Sequence, residues 1–255
     1  MTDTVALITG ANKGIGLETA RQLGKRGMTV LVGARDADRG AEAERTLTQE
    51  GIDARFISLD VTDDASVTAA AEQIEKDFGH LDVLVNNAGI PSASGRRATP
   101  GETSIEDMRA VFEVNVFGLV RVTNAMLPLL RKAPAARIVQ VSSEVGSIDA
   151  TSNPGSPLST MPASAQYPSS KAAVNMLTAQ YAKELAGTPI KVNAANPGFT
   201  DTEFNGHRGI RPVEQGAEPS VYLATLPDDG PSGVLYGHLW TTEGDGDGGY
   251  GILPW

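Results

Sequence analysis

The sequence contains no cysteine, few aromatic residues and only three histidines. Without cysteine there is no disulfide bond and no thiolate-bound metal, which fits a reducing, cytoplasmic environment. The histidines, His80, His207 and His238, are widely separated along the chain. They do not have the spacing of metal ligands, so we predict no metal site.

Positive charge and long apolar runs are also scarce. The 255 residues carry a formal net charge of −10 and contain no basic run, which argues against nucleic acid or an anionic membrane as a partner. No apolar stretch approaches the roughly 20 residues that span a bilayer. The first residues, MTDTVALITG, lack the basic region of a signal peptide. We therefore expect a cytoplasmic protein.

What the sequence does contain is a regular alternation of short apolar runs with amphipathic ones. Amphipathic segments predict helices, including a long one over 104–132 and another that begins near Gln166. The apolar runs lack polar–apolar alternation, as parallel strands buried on both faces do. They predict strands over residues 5–9, 29–34, 54–61, 81–89, 136–143 and 190–198. This order predicts a single α/β domain over residues 1–255, a doubly wound parallel sheet of Rossmann type with helices on both faces.

A glycine-rich turn follows the first predicted strand. The segment TGANKGIG places Gly10, Gly14 and Gly16 where backbone can approach a pyrophosphate at a helix N-terminus. Its G-x-x-x-G-x-G spacing differs from the commoner G-x-G-x-x-G, and glycines also simply make tight turns. After the first strand of a βαβ unit, however, such a turn favours a dinucleotide ligand.

The segment YPSSK contains a phenol and an ammonium group four positions apart. Pro168 is tolerated only in the first turn of a helix, so Tyr167 and Lys171 project from the same side of that turn. Alone, such a pair is weak evidence, because exposed pairs of this kind contribute little. A nearby ammonium nevertheless favours phenolate and lowers a phenol pKa from about 10. The pair therefore predicts a group that acts as acid and base near neutral pH.

Taken together, the motifs resemble the short-chain dehydrogenase/reductase family. The glycine turn, ARDADRG and EQGAEPSVYLATLP are most similar to its carbonyl reductase branch. The resemblance implies a Rossmann-type fold and the NADPH-dependent reduction of a ketone or aldehyde to an alcohol. It covers residues 5–202, over which TGANKGIG, LDV, NNAG, an asparagine in the long helix, VSS, YPSSK and NPGFTDT occur in the family's order.

The resemblance implies four catalytic residues: Asn115, Ser143, Tyr167 and Lys171. Tyr167 is expected to protonate the carbonyl oxygen, and Lys171 to place a cation near the phenol and bond the nicotinamide ribose. Ser143 fits the family's S-x-x-G pattern because Gly146 follows it, whereas Ser142 is expected to be a packing residue. Ser143 would donate a hydrogen bond to the substrate oxygen.

Asn115 lies inside the long helical pattern, where its amide competes for backbone groups. One interpretation is an asparagine that faces solvent. The other, which the resemblance favours, is a residue that holds a water molecule linking Lys171 to bulk solvent.

The resemblance also implies which residues hold the cofactor. Asp60 and Val61 are expected near the adenine ring, residues 87–89 along the adenosine ribose, and Thr202 at the nicotinamide carboxamide. The full set of expected contacts is Gly10, Asn12, Lys13, Gly14, Ile15, Gly16, Arg35, Asp60, Val61, Asn87, Ala88, Gly89, Tyr167, Lys171, Pro197, Gly198, Thr200 and Thr202.

The choice between NAD and NADP depends on the end of the second strand. A spacing rule selects Asp36 as an acid for the ribose, which favours NAD, but Asp36 lies at a helix N-cap position. The strand-end position is Ala34, Arg35 follows it, and Lys13 lies inside the glycine turn. Two cations at these places suit a 2′-phosphate, so we favour NADP (NADPH) over NAD.

An insertion departs from compact members of the family. Residues at about 147–163 lengthen the connection between Ser143 and Tyr167 and are expected to form a loop beside the site. Larger insertions here cover a subunit interface in some monomeric carbonyl reductases, so the choice between monomer and homo-oligomer stays open.

Two further segments lie beyond the last predicted strand. Residues at about 199–215 take the position of the family's substrate loop, where His207 and Arg208 meet an acidic substrate or, as we favour, solvent. The glycine-rich tail, residues 241–255, is expected to be a flexible turn that ends in an anchoring Trp255.

A second function suits the same sequence. An NADP-binding redox sensor or regulator has the same fold, because fold alone does not define function. Such a sensor needs only the cofactor-binding half of the site, whereas all four catalytic positions are occupied here. We therefore favour an enzyme that acts on a small-molecule carbonyl substrate.

Overall fold

An eight-stranded sheet runs through the centre of the molecule in this computed structural model, which describes residues 4–95, 98–240 and 247–255. The strands are β1 (Val5–Thr9), β2 (Thr29–Ala34), β3 (Ala54–Ser58), β4 (Val83–Asn86), β5 (Arg137–Val141), β6 (Lys191–Asn196), β7 (Leu235–Trp240) and β8 (Asp247–Leu253). Their order is β3-β2-β1-β4-β5-β6-β7-β8, and only β8 is antiparallel to its neighbour. The predicted doubly wound parallel sheet is confirmed.

Helices cover both faces of this sheet. They are α1 (Gly14–Gly24), α2 (Ala37–Gln49), α3 (Asp64–Phe78), α4 (Ile105–Phe112), α5 (Gly118–Leu130), α6 (Ile148–Ser152), α7 (Gln166–Glu184) and α8 (Val213–Ala224). Alternate residues of one strand belong to opposite cores: Leu7 packs with α3, α5 and α7, whereas Ile8 packs with α1, α2 and α8. The strands β1, β2, β4 and β5 are buried on both faces, which explains the absence of alternation in their sequences.

A crevice opens at the carboxyl ends of β1 and β4. These strands are neighbours, but the chain continues from β1 towards β2 on one side and from β4 towards β5 on the other. The two connections diverge, which is the topological switch point where α/β sheets bind ligands.

The long helix predicted over 104–132 is interrupted in its middle. One π-helical turn, Glu113–Phe117, separates α4 from α5. The whole segment, Ile105–Leu130, is long and apolar enough to cross a membrane by length and composition, but half of its most apolar window is buried inside the protein. It packs against α3, α7 and β4 as a core helix of this fold.

Four predicted strands are shorter than expected, and those over 136–143 and 190–198 each lose one residue at the start and two at the end. The predictions over 54–61 and 81–89 are wrong at their ends, because β3 stops at Ser58 and β4 at Asn86. After β3 the chain turns at Asp60, whose Oδ1 accepts hydrogen bonds from the backbone nitrogen and hydroxyl of Thr62 at 2.9 and 2.7 Å. These turns bring polar residues to the crevice.

The tail differs from the predicted flexible turn. Residues 241–246, on which part of that prediction falls, lie outside the described residues, but from Asp247 the chain forms β8 against β7. The Trp255 side chain is 40% exposed. Trp255 is held instead through its carbonyl oxygen, which accepts a hydrogen bond from the Asp149 backbone nitrogen at 3.2 Å.

Candidate active site

The glycine turn forms a close backbone cradle at the end of β1. Gly10 and Gly14 have φ values of 64° and 55°, in the left-handed region that favours glycine. A Cβ at Gly16 would lie 2.4 Å from Asn87 Nδ2 and 2.7 Å from the Gly10 carbonyl oxygen. Glycine at position 16 therefore lets the start of α1 pack directly against the Gly10 turn and Asn87.

Residues of the NNAG motif support this cradle through hydrogen bonds. Asn87 Nδ2 donates to the carbonyl oxygens of Thr9 and Gly10 at 2.8 and 3.2 Å. The Thr9 hydroxyl accepts from the backbone nitrogens of Asn87 and Ala88 at 3.0 and 2.9 Å. The sequence analysis did not identify Thr9 as a residue that supports the glycine turn. The signal in the sequence is a hydroxyl side chain at the end of an apolar strand.

Ser142 and Ser143 have separate environments, as predicted. The Ser142 hydroxyl is 2% exposed and donates to Asn175 Oδ1 at 2.5 Å. Ser143 begins a short 3-10 turn that ends at Gly146. A Cβ at Gly146 would lie 2.5 Å from the Lys171 carbonyl carbon. The glycine of the S-x-x-G pattern therefore lets the Ser143 turn pack directly against α7.

Tyr167 and Lys171 lie in the first turns of α7, which begins at Gln166 as predicted. Lys171 Nζ donates to the Val141 carbonyl oxygen at 2.7 Å and lies 5.5 Å from the centroid of the Tyr167 ring. The Ser143 hydroxyl interacts with the phenol of Tyr167. The structure thus brings serine, tyrosine and lysine together at the carboxyl end of β5.

The protonation of this pair differs from the prediction. Burial raises the pKa of Tyr167 well above its ordinary value, against the opposing effect of the Ser143 hydrogen bond, and the charge of Glu144 raises it further. Burial also lowers the pKa of Lys171 to about 8. The expectation that the ammonium lowers the phenol pKa is wrong here, because loss of water around the phenolate has the largest effect and the Lys171 ammonium is turned towards the Val141 carbonyl.

Asn115 is buried at 2% exposure inside the π-helical turn, so the solvent-facing interpretation is wrong. Its Oδ1 accepts from the Ile90 backbone nitrogen at 2.8 Å, and its Nδ2 donates to the Ile90 carbonyl and the Ser170 hydroxyl at 3.0 Å each. The side chain thus ties the segment after Gly89 to α7. The water-holding role stays a prediction.

The residues expected to select the cofactor lie at the rim of the crevice. Lys13 Nζ forms a salt bridge with Glu203 Oε2 at 2.5 Å, and both side chains are about half exposed or more. Arg35 is exposed at the end of β2. Burial alone would raise the pKa of Asp60, but hydrogen bonds from Thr62 and the charge of Arg35 hold it below its ordinary value.

Asp36 caps α2, as predicted. Its Oδ1 accepts a hydrogen bond from the Arg39 backbone nitrogen at 3.0 Å. Ala34, the last residue of β2, is 2% exposed.

The segment after β6 closes the other side of the crevice. Thr202 lies against the glycine turn, where a Cβ at Gly14 would be 3.5 Å from Thr202 Cγ2. Phe204 stands edge-on to the Tyr167 ring, with centroids 5.5 Å apart. His207 and Arg208 are exposed, as favoured; His207 Nδ1 lies 2.9 Å from Asp201 Oδ1.

The other predicted cofactor contacts lie along the same crevice. Thr200 is 3% exposed, and its hydroxyl donates to the carbonyl oxygens of Pro197 and Gly198 at 3.3 Å each. The Val61 carbonyl accepts from Arg121 at 2.7 Å. The half-buried residues of the glycine turn are Gly10, Asn12, Gly14 and Ile15.

The insertion over 147–163 is folded beside this site. It contains α6 and a 3-10 turn, Pro157–Thr160, and Ser147 caps α6 through a hydrogen bond to the Ala150 backbone nitrogen at 3.0 Å. Ile148 is 72% exposed and Met161 45%, so the insertion presents apolar side chains to solvent. Within residues 4–95, 98–240 and 247–255, no group of three or more side chains is arranged to hold a metal.

The crevice, the glycine cradle and the serine, tyrosine and lysine at its end define an oxidoreductase of the dinucleotide-binding α/β class. Residues 4–211 match the profile of the short chain dehydrogenase family. The chain belongs to this family.

Three similar proteins are informative. The short-chain dehydrogenase anuI of Penicillium roqueforti is 41% identical over 95% of this chain and 96% of its own length. The structure of salutaridine reductase from Papaver somniferum is 30% identical, with a TM-score of 0.79 over 91% of this chain and 99% of that one. NADPH-bound carbonyl reductase from chicken fatty liver is 27% identical, with a TM-score of 0.81 over the whole of both chains.

Proposed function

We propose that the protein is a cytoplasmic, NADPH-dependent carbonyl reductase that converts a small ketone or aldehyde to an alcohol. The observation that carries this proposal is the convergence of Ser143, Tyr167 and Lys171 at the end of a crevice lined by the glycine cradle. Reductases among the similar proteins support the direction of the reaction.

A dinucleotide fits the turn after β1, because Gly10 and Gly14 have left-handed φ values and present backbone without side chains at the N-terminus of α1. The glycine turn would hold its pyrophosphate at the N-terminus of α1. Asp60 and Val61 would hold the adenine, residues 87–89 the adenosine ribose, and Thr202 the carboxamide. When bound, reduced nicotinamide supplies the hydride for the carbonyl carbon.

The side chains at the end of the crevice supply the remaining chemistry. Ser143 donates a hydrogen bond to the substrate oxygen and stabilises the negative charge that develops on it. Tyr167 gives its phenolic proton to that oxygen. Its raised pKa keeps the phenol protonated at neutral pH, which suits a proton donor. Lys171, with a pKa of about 8, is mostly an ammonium at neutral pH and stabilises the phenolate left after transfer.

NADP is preferred over NAD in this proposal because of the charges near the end of β2. Arg35 is exposed there, and the acid selected by the spacing rule, Asp36, is used as a helix cap. Lys13 lies on the same rim and forms a salt bridge with Glu203. Both side chains are exposed, so this salt bridge is not part of a buried network. A 2′-phosphate would accept charge-assisted hydrogen bonds from both cations.

The test is consumption of NADPH with a panel of ketones, diketones and quinones, for the wild type and Tyr167→Phe. We expect the variant to bind NADPH as the wild type does and to lose at least roughly a hundredfold in turnover, the contribution of one general acid. Near-normal turnover in a folded variant would contradict the role of Tyr167. Tight NADPH binding without turnover of any carbonyl would favour the redox sensor.

A further inference from the structure

A buried carboxyl group on α4 lies between two segments that meet at the candidate active site. Asp107 is 7% exposed, and its Oδ1 accepts hydrogen bonds from the backbone nitrogens of Ala93 and Ser94 at 2.8 and 2.9 Å. These two residues belong to the segment that leaves β4 through Gly89. The carboxyl group therefore fixes the backbone just beyond the NNAG motif.

The other carboxyl oxygen of Asp107 binds the first residue of α7. Asp107 Oδ2 accepts a hydrogen bond from Gln166 Nε2 at 2.6 Å, and Gln166 is only 2% exposed. Burial alone would raise the pKa of Asp107, but hydrogen bonds from the Ser94 backbone and the Gln166 side chain hold it below its ordinary value. Asp107 is therefore a carboxylate at neutral pH, and its charge strengthens the hydrogen bond from Gln166.

This hydrogen bond acts at the end of α7 that carries the phenol. Gln166 is the first residue of the helix and directly precedes Tyr167. Ala165, at the N-cap position, has only a methyl side chain and cannot cap the helix. The position of the first turn of α7 therefore depends on contacts with other elements, of which the hydrogen bond between Gln166 and Asp107 is one.

Asn115 makes a second connection between the same two segments. It joins Ile90 to Ser170, and the Ser170 hydroxyl donates to the Tyr167 carbonyl oxygen at 2.8 Å. Gln166 and Ser170 are thus anchored on either side of Tyr167 along the chain. Both connections link the segment after β4 to the first turns of α7.

We propose that Asp107 and Gln166 are a positioning pair for catalysis: their hydrogen bond ties residues 90–94 to the start of α7 and holds Tyr167 where it can protonate the substrate. The position of a reacting group is critical, because a displacement of about 1 Å can cost roughly a hundredfold in rate. This inference rests on the proposed role of Tyr167 as general acid.

Amide hydrogen exchange tests the connection between the two segments without turnover. Gln166→Leu removes the donor to Asp107 and adds no charge. We expect the amides of Ala93 and Ser94 to exchange roughly tenfold faster in this variant, because their acceptor is no longer held by α7. Gln180→Leu, the same substitution at an exposed position of the same helix, is the matched control and should leave both amides unchanged.

Steady-state kinetics test the effect on Tyr167. Gln166→Leu should lower kcat roughly tenfold or more, and so should Gln166→Glu, in which two carboxylates face each other. The dissociation constant of NADPH should not change, because the glycine turn is untouched. Asp107→Asn keeps an oxygen for the two backbone amides and supplies an amide donor. It should therefore restore most of the activity lost in Gln166→Glu and none of that lost in Gln166→Leu, whereas a merely structural contact would lower Tm and leave kcat unchanged.

The outcomes separate this proposal from the proposed function. Wild-type kcat in Gln166→Leu would overturn the positioning role, as would a failure of Asp107→Asn to restore Gln166→Glu. If the wild type reduces no carbonyl, the proposed function is wrong, but faster exchange of Ala93 and Ser94 in Gln166→Leu would still support the connection. Unchanged exchange of these amides would overturn it.

Discussion

Ser142 and Ser143 are consecutive hydroxyls with different tasks. The first is buried against Asn175, and the second faces the phenol of Tyr167. A change of one position in the chain therefore separates a packing hydroxyl from the one proposed to act in catalysis.

We expect Ser143→Ala to lower kcat by about a hundredfold or more, the loss that follows removal of one donor to a developing oxyanion. Ser142→Ala should leave kcat within a few-fold and lower the free energy of unfolding by about 1–3 kcal/mol, because Asn175 Oδ1 loses its partner. Steady-state kinetics and urea unfolding of both variants measure the two effects. The reverse order of activities would show that Ser142 is the catalytic serine.

Among single residues, Arg35 also allows a test of the preference for NADPH over NADH. A charge-assisted hydrogen bond contributes roughly 1.5–3 kcal/mol, so Arg35→Ala should weaken NADPH binding by roughly ten- to a hundredfold. Binding of NADH should be nearly unchanged, because it has no 2′-phosphate. The measurement is the dissociation constant of each cofactor at low and high salt.

Asp36→Ala is the matched control at the next position. It removes the hydrogen bond to the Arg39 backbone nitrogen and should cost about 1 kcal/mol of stability without changing the cofactor preference. If the wild type prefers NADH and Asp36→Ala removes that preference, the assignment of NADP is wrong.

At the scale of elements, the Ser143 turn and α7 act as one unit because Gly146 lets them touch. A Cβ at Gly146 would lie 2.5 Å from the Lys171 carbonyl carbon and 2.8 Å from the Ala172 nitrogen, both backbone atoms that cannot rotate away. Gly146→Ala should therefore move the turn relative to Tyr167, with a cost of about 1–3 kcal/mol in stability and a lower kcat. Gly187→Ala, where a Cβ would meet nothing within 4 Å, is the control. Equal kcat and stability for the two variants would contradict this close packing.

Elements set by local sequence were predictable. The start of α7 follows from Pro168, the capping of α2 follows from Asp36, and the parallel sheet follows from the alternation of apolar and amphipathic runs. Each of these depends on residues close together in the chain.

Features created by distant residues were not predictable in the same way. The glycine-rich segment Asp247–Leu253 has weak strand propensity and becomes β8 because β7 supplies its hydrogen bonds. Asn115, in the π-helical turn, forms hydrogen bonds with Ile90 and Ser170, which lie on other segments. Glu144 gains its environment only when Asn196 and Arg211 reach it from β6 and beyond.

For the whole molecule, Glu144 and Lys171 are two of the buried titratable groups that make stability depend on pH. The pKa of Glu144 is about 7 in the folded protein, above its ordinary 4.5, so its contribution to stability is fully present below pH 4.5 and lost as pH rises through 7. The pKa of Lys171 is lowered from 10.5 to about 8, so its contribution is present above pH 10.5 and lost as pH falls through 8. Between pH 7 and 8 both groups are largely charged, at a cost in stability.

Glu144→Gln should therefore stabilise the protein at pH 8 more than at pH 5. The difference is at most about 3 kcal/mol, which corresponds to several degrees in Tm for a chain of this size. Thermal unfolding of wild type, Glu144→Gln and Asp149→Asn at both pH values measures it. The same change in Tm at pH 5 and pH 8 would show that Glu144 titrates at an ordinary pH in the folded protein.

The hydrogen bond from the Asp149 backbone to the Trp255 carbonyl joins Trp255 to the insertion that follows Ser143. Anything fused to Trp255, such as a purification tag or a surface linker, would emerge beside α6, which packs against the Ser143 turn. A tag placed before β1, near the amino ends of the parallel strands, would leave from the opposite edge of the sheet. The attachment point of a tag or linker should therefore be compared between the two ends in kinetic and immobilisation experiments.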